Sequence, residues 1–329
     1  MTSSSYLLSI IITLYNSDDF IIACLQSLLP QLDNDIEVII INDGSTDDSE
    51  EKVLNYIEGH EHFNLISQEN HGVAHAKNTG LRNAQGQYVT FLDSDDVVSS
   101  QYIQTLRPLL QSDKYDLVDF DYQKFGTSAP EDEPFDVIHQ TEYDIESNGI
   151  YALLPIFEKS LWHMVTRVIR RNLLQGERLE NGRRYEDVIF TPFQYFKTRK
   201  IVHLDHAIYF YRDNSQGITR NIRPTDIDDM LFALKKMLNF VEQHQGDEPL
   251  RQLAALMLAN CFSEVKSMSK ALYGYYHYEP EALRTFNRVA EVCRNSGVPR
   301  KKIRQMRYAR VDTWLSKIRW RLRTREKHA

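Results

Sequence analysis

The stretch FLDSDD, residues 91–96, joins an apolar run to three carboxylates. The run from Tyr88 to Leu92 is typical of a buried strand, and carboxylates placed so close together repel each other. Converging carboxylates offer the oxygen ligands that Mg²⁺ or Mn²⁺ prefers, and a bound cation would offset their repulsion. A D-x-D triplet alone is a weak signal, because a solvated acidic turn has the same residues. The surrounding sequence must therefore decide between the two interpretations.

Strand and helix patterns alternate through the first hundred residues. Strands are predicted at residues 9–14, 36–41, 63–66 and 88–92, and helices at 18–29, 45–58 and 73–84. This alternation predicts an α/β fold with a mostly parallel sheet and helices on both faces. Ligands of such sheets bind beyond the carboxyl ends of the strands. Tyr15, Asp43 and Asp93 all follow strand ends, so the pattern predicts a site there.

The pattern loosens after residue 100. A strand is predicted at 115–125, a loop or edge hairpin at 126–149, partly helical structure at 150–174, and extended structure at 201–211. Apolar residues at helical spacing follow from Thr225, with a further helix at 250–271. We therefore expect an α/β domain at residues 1–224, a helical appendage at 225–298 and a tail at 299–329.

Charge is distributed unevenly along the chain of 329 residues. The net charge is −7, but residues 300–329 carry twelve basic and two acidic residues, a local charge of +10. The three cysteines are far apart in sequence, which is typical of ordinary apolar residues in a reducing compartment. No apolar run approaches the roughly 20 residues that span a bilayer, and the start lacks a signal-peptide pattern. These features predict a cytoplasmic protein.

The tail has the pattern of a basic amphipathic helix. On a helical wheel, six apolar residues fall within about 120° of arc, and they are Tyr308, Val311, Trp314, Leu315, Ile318 and Leu322. Arginines and a lysine flank or oppose this arc, which favours binding of residues 300–329 to an anionic membrane surface. Packing against the acidic body and nucleic-acid binding are the alternatives. The acidic body disfavours nucleic acid, because its field would oppose the approach.

Three blocks of sequence resemble the family-2 glycosyltransferases of the GT-A fold. They are LSIIITLYN (8–16), EVIIINDGSTDDS (37–49) and QENHGVAHAKNTGLRNAQGQYVTFLDSDD (68–96). The resemblance covers residues 7–110 and continues more weakly to about residue 220, through RYEDVIF (184–190) and FYRDNSQGIT (210–219). It implies a nucleotide-sugar donor, a divalent metal at the D-x-D and inversion at the anomeric carbon.

The resemblance also implies a cellular role and a division of labour within the α/β domain. Residues 1–110 would bind the nucleotide-sugar, with a UDP-sugar expected, and residues 111–224 the acceptor. The acceptor would be a glycan or lipid-linked oligosaccharide in capsule or lipopolysaccharide O-chain synthesis. With the tail, this places the chain peripherally on the cytoplasmic face of the inner membrane. Oligomer formation is left open.

Residue roles on the donor side follow from the same resemblance. Thr13 and Tyr15 would border the base and ribose, and Asp43 would accept a hydrogen bond from the base, unless it only forms the Asn-Asp-Gly turn. Asp95 matches the principal metal ligand. Asp93 would lie near the donor ribose or sugar, with an indirect metal contact.

Three further residues have less certain roles. Lys77 stands where an arginine is usual, so a contact with the nucleotide or a phosphate would lose the bidentate fork; a solvated helix charge is the alternative. Asn78 would bind the donor or bond the backbone of the D-x-D strand. Asp96 would cap the following turn.

The acceptor half supplies the predicted base. An inverting transfer needs a carboxylate that deprotonates the acceptor hydroxyl. Asp187 matches the base of the family, with Glu186 as the reserve, although an acid pair at a helix N-terminus is also favoured by the helix dipole.

Other acceptor-half residues would bind substrates. Trp162 would stack on the acceptor sugar or lie in the core. His163 would belong to the acceptor site, where it contacts the diphosphate, the metal or neither. Arg212 would clamp the diphosphate. Residues 217–219 read Gly-Ile-Thr where the family often has Ser-Ile-Thr, which leaves the donor contacts of that loop open.

Two other functions compete with glycosyl transfer. A sugar-phosphate nucleotidyltransferase would have a glycine-rich, basic loop after the first strand, and TLYNSDD (13–19) is neither. A non-catalytic nucleotide-sugar-binding protein has no need of Asp43, Asp93, Asp95 and Asp187 together. The sequence therefore favours the transferase.

Overall fold

The computed structural model describes residues 6–130, 135, 139–214, 217 and 220–326. Its Cα positions divide into two compact units. The sheet unit contains the described residues of 1–147 and 163–217, and the helical unit contains those of 148–162 and 218–329.

Nine strands lie in the described part of the sheet unit. They are β1 (Leu8–Leu14), β2 (Ile36–Asp43), β3 (Phe63–Gln68), β4 (Tyr88–Asp93), β5 (Val97–Val98), β6 (Leu117–Phe125), β7 (Gln140–Asp144), β8 (Arg167–Arg170) and β9 (Lys200–Arg212). They form one sheet in the order β3-β2-β1-β4-β8-β6-β9-β5, with β7 also paired to β9.

The first four strands of this order are parallel. Ile10 of β1 pairs with Val38 of β2 on one side and with Thr90 of β4 on the other. The side chains of Ile10, Ile11 and Ile12 are fully buried, because a central parallel strand has both faces covered. The predicted parallel sheet of the first hundred residues is confirmed.

The remaining strands make the sheet mixed. Strand β8 is antiparallel to both β4 and β6, and β5 and β7 are antiparallel to β9. Residues 150–174 were predicted to be partly helical, and β8 lies within them. The predicted segment 201–211 is one continuous strand, which pairs in parallel with β6. Strand β7 lies in the predicted loop or hairpin at 126–149, of which residues 131–134 and 136–138 lie outside the described residues.

Helices cover both sides of the sheet. The helices of the sheet unit are α1 (Ile21–Leu28), α2 (Ser49–Ile57), α3 (Val73–Asn83), α4 (Tyr102–Gln111), α5 (Ile145–Asn148, whose last residue falls in the helical unit) and α7 (Glu186–Tyr195). Helix α3 follows Gly72, whose φ of 87° suits a glycine at the turn from β3. Gly80 in α3 allows a close approach to β1, because an added Cβ would lie 2.3 Å from a methyl of Ile11.

Six helices of the described residues belong to the helical unit. They are α6 (Leu154–Lys159), α8 (Pro224–Gln243), α9 (Glu248–Tyr273), α10 (Pro280–Val292), α11 (Arg300–Arg307) and α12 (Ala309–Glu326). Phe262 of α9 packs edge-to-face on Phe286 of α10 in its core, with ring centres 4.9 Å apart. No described helix is long and apolar enough to cross a membrane.

The unit boundaries differ from the predicted ranges in three places. Residues 148–162 were placed in the acceptor half, but they belong to the helical unit. The physical reason is burial: α6 packs on α9, and Leu153 and Phe157 are fully buried. The helical unit also includes residues 218–224 and the tail.

Candidate active site

The carboxyl ends of the parallel strands bring the predicted donor-side residues to one edge of the sheet. Thr13, near the end of β1, pairs with Asp93 at the end of β4. On the other side Thr13 pairs with Ile41 of β2, two residues before Asp43. Tyr15 follows β1 and is half exposed. The strand register thus brings these residues to the same edge of the sheet, as predicted.

The D-x-D turn, residues 93–96, carries two partly exposed carboxylates. Asn214 donates a hydrogen bond from Nδ2 to Oδ2 of Asp95 at 3.0 Å. Burial and the charges of Asp95 and Glu186 raise the pKa of Asp93, although Lys77 acts in the opposite direction. The turn thus concentrates negative charge on oxygen ligands, which fits a hard divalent cation. Asp95 and Asp93 are the residues that would hold it.

Asp96 has a different environment from the other two acids. It is 1% exposed and accepts hydrogen bonds from the backbone N–H of Arg212 at 2.7 Å and from the hydroxyl of Tyr209. Burial and the charges of Asp93 and Asp95 raise its pKa to about 8. Asp96 therefore fastens the D-x-D turn to β9 and does not cap the following turn as predicted, because both of these donors belong to β9.

Arg212 also holds this turn. Its Nε donates to the backbone oxygen of Asp95 at 2.7 Å. Its guanidinium lies between the rings of Phe20 and Phe125, 4.9 and 4.5 Å from their centres. The predicted diphosphate clamp is thus bonded to the backbone of the D-x-D turn.

Asp43 is nearly fully buried and has three hydrogen-bond donors. Oδ1 accepts from Nε2 of Gln68 at 2.7 Å and from the backbone of His71 at 3.1 Å, and Oδ2 accepts from Gly72 at 2.8 Å. These bonds fix the chain at the start of α3. A carboxylate has about four acceptor sites, so one site remains for the predicted contact with a base.

Lys77 joins the D-x-D turn to the start of α7. It is 4% exposed, and its Nζ lies 2.7 Å from Oε1 of Glu186 and 3.8 Å from Oδ1 of Asp93. Burial alone would lower the pKa of Lys77, but the charges of Glu186 and Asp93 raise it above the ordinary value. The alternative of a solvated helix charge is therefore wrong for this residue, and its ionic partners are acidic side chains of the site.

Asn78 is bonded to the loop before α7. Its Nδ2 donates to the backbone oxygen of Leu179 at 2.9 Å and to Oδ1 of Asn181, and its Oδ1 accepts from the backbone of Leu179. The predicted bond to the backbone of the D-x-D strand is absent among these contacts, because the side chain of Asn78 is buried against the loop before α7. Asn78 and Lys77 thus both fasten α3 to the region of α7.

Helix α7 begins with the predicted base and its neighbour. Tyr185, just before Glu186, has a φ of 61°, a left-handed conformation that costs a non-glycine residue roughly 1 kcal/mol or more. Burial and the charge of Glu186 raise the pKa of Asp187 to about 7, with Lys77 opposing them. A carboxyl with a pKa near neutrality suits proton abstraction. Since Glu186 is committed to Lys77, Asp187 is the better candidate base.

The two residues predicted to contact the acceptor differ in environment. Trp162 is 5% exposed and packs edge-to-face on Phe157, with ring centres 5.0 Å apart. It is a core aromatic of the helical unit, so the alternative reading applies and no open face is available for stacking. His163 is half buried in the sheet unit, and burial, with the charges of Arg167 and Lys124, lowers its pKa to about 4. It is therefore neutral at physiological pH.

A second group of residues whose side chains can ligate a metal ion lies elsewhere in the described part of the sheet unit. His203 has Nε2 at 3.1 Å from Asp205 and 3.7 Å from Asp121, and Nδ1 facing Asp119. Ligand atoms of Asp121, His203 and Asp205 lie within 4.8 Å of one another. A protonated imidazole among three carboxylates gives the same arrangement without a metal. No local sequence pattern indicates this group, because Asp121 joins His203 and Asp205 only through the pairing of β6 with β9.

Comparison with known proteins places this geometry in a family. The model of glycosyl transferase family 2 matches residues 9–173. The chain is 30% identical over 231 residues to the glycosyltransferase GlyG of Streptococcus pneumoniae, covering 66% of this chain and 74% of that protein. It is 31% identical over 221 residues to the uncharacterized glycosyltransferase EpsJ of Bacillus subtilis, covering 65% of this chain and 63% of that protein.

Solved structures share the fold. A crystal structure of S. aureus TarS 1-349 in complex with UDP-GlcNAc has a TM-score of 0.69 at 20% identity, covering 93% of this chain and 88% of that chain. The mannosyltransferase PcManGT from Pyrobaculum calidifontis, in complex with GDP-Man and Mn²⁺, has a TM-score of 0.53 at 15% identity, covering 94% and 88%. With the family match over half of the sequence, the chain belongs to the family-2 glycosyltransferases.

Proposed function

We propose that this glycosyltransferase moves a sugar from a UDP-sugar to a hydroxyl of a glycan or lipid-linked oligosaccharide, with inversion at the anomeric carbon. The observation that carries the proposal is the linkage of two acidic regions by Lys77 in one unit. Nζ of Lys77 lies 3.8 Å from Oδ1 of Asp93, in the turn that also carries Asp95, and 2.7 Å from Oε1 of Glu186, the neighbour of Asp187. UDP-GlcNAc in the related TarS structure supports the choice of donor. Capsule or lipopolysaccharide O-chain synthesis is the proposed cellular role.

The carboxylate of Asp187 would act on the acceptor. It accepts the proton of the acceptor hydroxyl as the oxygen attacks the anomeric carbon, and the bond from that carbon to the diphosphate oxygen breaks. Mn²⁺ or Mg²⁺ held by Asp95 and Asp93 would stabilise the negative charge on the departing diphosphate. Arg212, fastened to the D-x-D turn, is positioned to add a positive charge there.

Hydrolysis of UDP-sugars without an acceptor tests the proposal. We expect the full chain to release UDP from at least one of UDP-glucose, UDP-galactose and UDP-N-acetylglucosamine in the presence of Mn²⁺ or Mg²⁺. Chelation of the metal or the substitution Asp95→Ala should abolish the release.

The same assay separates the alternatives. When diphosphate is added, a nucleotidyltransferase would convert it and the UDP-sugar to UTP and a sugar 1-phosphate. The melting temperature of a non-catalytic binding protein would rise with UDP-sugar, but none of the UDP-sugar would be consumed. Hydrolysis by Asp95→Ala as fast as by the original chain would remove the metal assignment.

We also propose that α12 binds an anionic membrane surface on the cytoplasmic side of the inner membrane. The apolar arc (Tyr308, Val311, Trp314, Leu315, Ile318 and Leu322) has exposed fractions from 37% to 64%. The other side of the helix packs within the helical unit: Asp312 pairs with Lys266, and Ser316 accepts a hydrogen bond from the backbone of Tyr276 at 3.0 Å.

This arrangement supports the membrane over the predicted alternative of packing on the body. The helix does pack on its own unit, but through the side opposite to the apolar arc, and Arg310, Arg319 and Arg321 lie exposed around that arc. Apolar side chains surrounded by arginines match an acyl boundary below anionic headgroups.

Vesicle sedimentation tests the membrane proposal. The chain should sediment with vesicles containing phosphatidylglycerol and much less with pure phosphatidylcholine, and Trp314→Ser with Leu322→Ser should abolish sedimentation. Leu54→Ser is a matched control, because Leu54 is an exposed apolar residue, 53% exposed, on α2. Undiminished sedimentation of the double variant would contradict the proposal.

A further inference from the structure

Four residues form an aromatic patch on the strand pair β6–β9. They are Tyr122, Lys124, His163 and Tyr211, and we call them the tyrosine patch. The ring of Tyr122 lies 5.0 Å from that of His163 and 6.1 Å from that of Tyr211, both in edge-to-face contact. Nζ of Lys124 lies 5.8 Å from the centre of the Tyr211 ring. Both tyrosines are half exposed.

The strand register places this patch beside the D-x-D turn. Strands β6 and β9 pair in parallel, with Tyr122 opposite Tyr209 and Lys124 opposite Tyr211. Residues paired in this way, and residues two apart along a strand, lie on the same face of the sheet. Tyr209, on this same face, donates a hydrogen bond from its hydroxyl to Asp96 of the D-x-D turn. The patch therefore continues the face of the sheet from which Tyr209 reaches the turn, whereas the side chain of Arg212 lies on the opposite face.

The other end of the patch is linked to α7, the helix that begins with Glu186 and the candidate base. The backbone oxygen of His163 accepts a hydrogen bond from Nη1 of Arg167 at 2.6 Å. Nε of Arg167 donates to the hydroxyl of Tyr195, the last residue of α7, at 2.9 Å. The tyrosine patch thus lies between Tyr209, which bonds to the D-x-D turn, and Arg167, which bonds to the helix of the candidate base.

The chemistry of the patch suits a sugar ring. Half-exposed tyrosine rings offer an apolar face for the C–H side of a pyranose and a hydroxyl at the ring edge. The exposed ammonium of Lys124 is a donor for sugar hydroxyls, and the half-buried His163 is neutral because burial lowers its pKa to about 4. Trp162, the aromatic that was predicted either to stack on the acceptor sugar or to lie in the core, is 5% exposed.

We propose that the tyrosine patch is the subsite that binds the sugar ring of the acceptor. The identification of the bound sugar as the acceptor rests on the proposed function, whereas binding of a sugar at the patch can be measured without catalysis. The experiment below therefore separates the failure of one from the failure of the other.

Saturation-transfer NMR on the full chain tests the subsite. The probes are methyl β-D-glucoside, methyl β-D-galactoside and methyl N-acetyl-β-D-glucosaminide. We expect at least one to bind the original chain. Tyr122→Leu and Tyr211→Leu should weaken that binding by about tenfold or more, since each removes an aromatic face, and the matched Phe variants should retain it. Tyr151→Leu is the control, because Tyr151 is a half-exposed tyrosine of the helical unit.

Excess UDP-glucose with Mg²⁺ identifies which sugar the patch holds. Glycoside binding that persists with the donor present supports an acceptor subsite, and displacement by the donor overturns it. Absence of glycoside binding to the original chain, or equal binding by both leucine variants, also overturns the proposal. If none of UDP-glucose, UDP-galactose and UDP-N-acetylglucosamine binds while the glycosides do, the proposed UDP-sugar donor falls and sugar binding at the patch stands.

A second measurement guards against leucine variants that do not fold. Photocrosslinking of the original chain with a diazirine-bearing methyl glucoside should label peptides that contain Tyr122 or Tyr211. Labelling confined to other parts of the chain would overturn the assignment.

Discussion

Asp95, at the end of β4, and Glu186, at the start of α7, are both acids of the candidate site, but their partners differ in charge. Asp95 accepts a hydrogen bond from the neutral amide of Asn214. Glu186 pairs with the buried ammonium of Lys77 at 2.7 Å. The described side-chain partner of Asp95 is therefore neutral, whereas the charge of Glu186 is balanced within the fold. The proposed metal would balance the D-x-D turn, and the start of α7 depends on internal packing.

The largest expected effect concerns Asp187, which follows Glu186 but is not committed to Lys77. Asp187→Asn removes the proposed base and should lower the rate of transfer by about 10²–10⁴-fold. Initial rates at saturating donor measure it, and the donor KM should change little. Full transfer by Asp187→Asn would show that another group takes the proton.

Removal of the Lys77 ammonium tests the buried ion pair between Lys77 and Glu186. Lys77→Met leaves Glu186 buried without its cation, which should lower the free energy of unfolding by about 3–5 kcal/mol. Urea unfolding followed by tryptophan fluorescence measures this. The matched control is Lys52→Met, because Lys52 pairs with Asp18 near the surface and should matter little. Equal effects of the two variants would contradict the buried ion pair as a stabilising contact.

Removal of the Asn214 amide tests the proposed metal site at Asp95. Asn214→Ala frees the carboxylate of Asp95 to rotate, so the affinity for Mn²⁺ or Mg²⁺ should fall about 10–100-fold with little change in stability. Titration of donor hydrolysis with metal measures this. Asn83→Ala is the control, since Nδ2 of Asn83 donates to the backbone oxygen of Thr79 within α3 at 2.9 Å. An unchanged metal requirement would separate Asn214 from the metal site.

The smallest expected effect is a shift in pH dependence. The base is active as a carboxylate, so kcat/KM should fall on the acid side of about pH 7, where Asp187 takes up a proton. Glu186→Gln removes a negative charge that raises the pKa of Asp187 and leaves Lys77, which lowers it. The acid limb should therefore move to lower pH. A profile that loses activity at every pH would instead favour Glu186 as the base.

The parallel half of the fold could be predicted because its strands are local patterns. β1, β2 and β4 are β-branched or aromatic runs bounded by turn residues, and their burial on both faces keeps the runs apolar. Strand β8 could not be predicted in this way. It has four residues, two of them arginines, and forms only because β4 and β6 lie on either side.

The residues of the D-x-D turn could likewise be predicted from a local motif, whereas the partners of Lys77 could not. Lys77 and Glu186 are 109 positions apart, and no local pattern joins them. A signal was nevertheless present: Lys77 lies four residues after Val73 and three before Gly80, on the stripe of α3 that faces the sheet. A lysine on such a stripe indicates a buried charge with a distant partner.

The chain order of the two units has a consequence for making fragments. A fragment that ends at residue 217 would keep residues 148–162 but lose α9, on which α6 packs. Leu153, Phe157 and Trp162 would then meet water, and their exposure favours aggregation. A soluble version of the sheet unit therefore requires excision of residues 148–162 and a short polar linker in their place, rather than truncation alone.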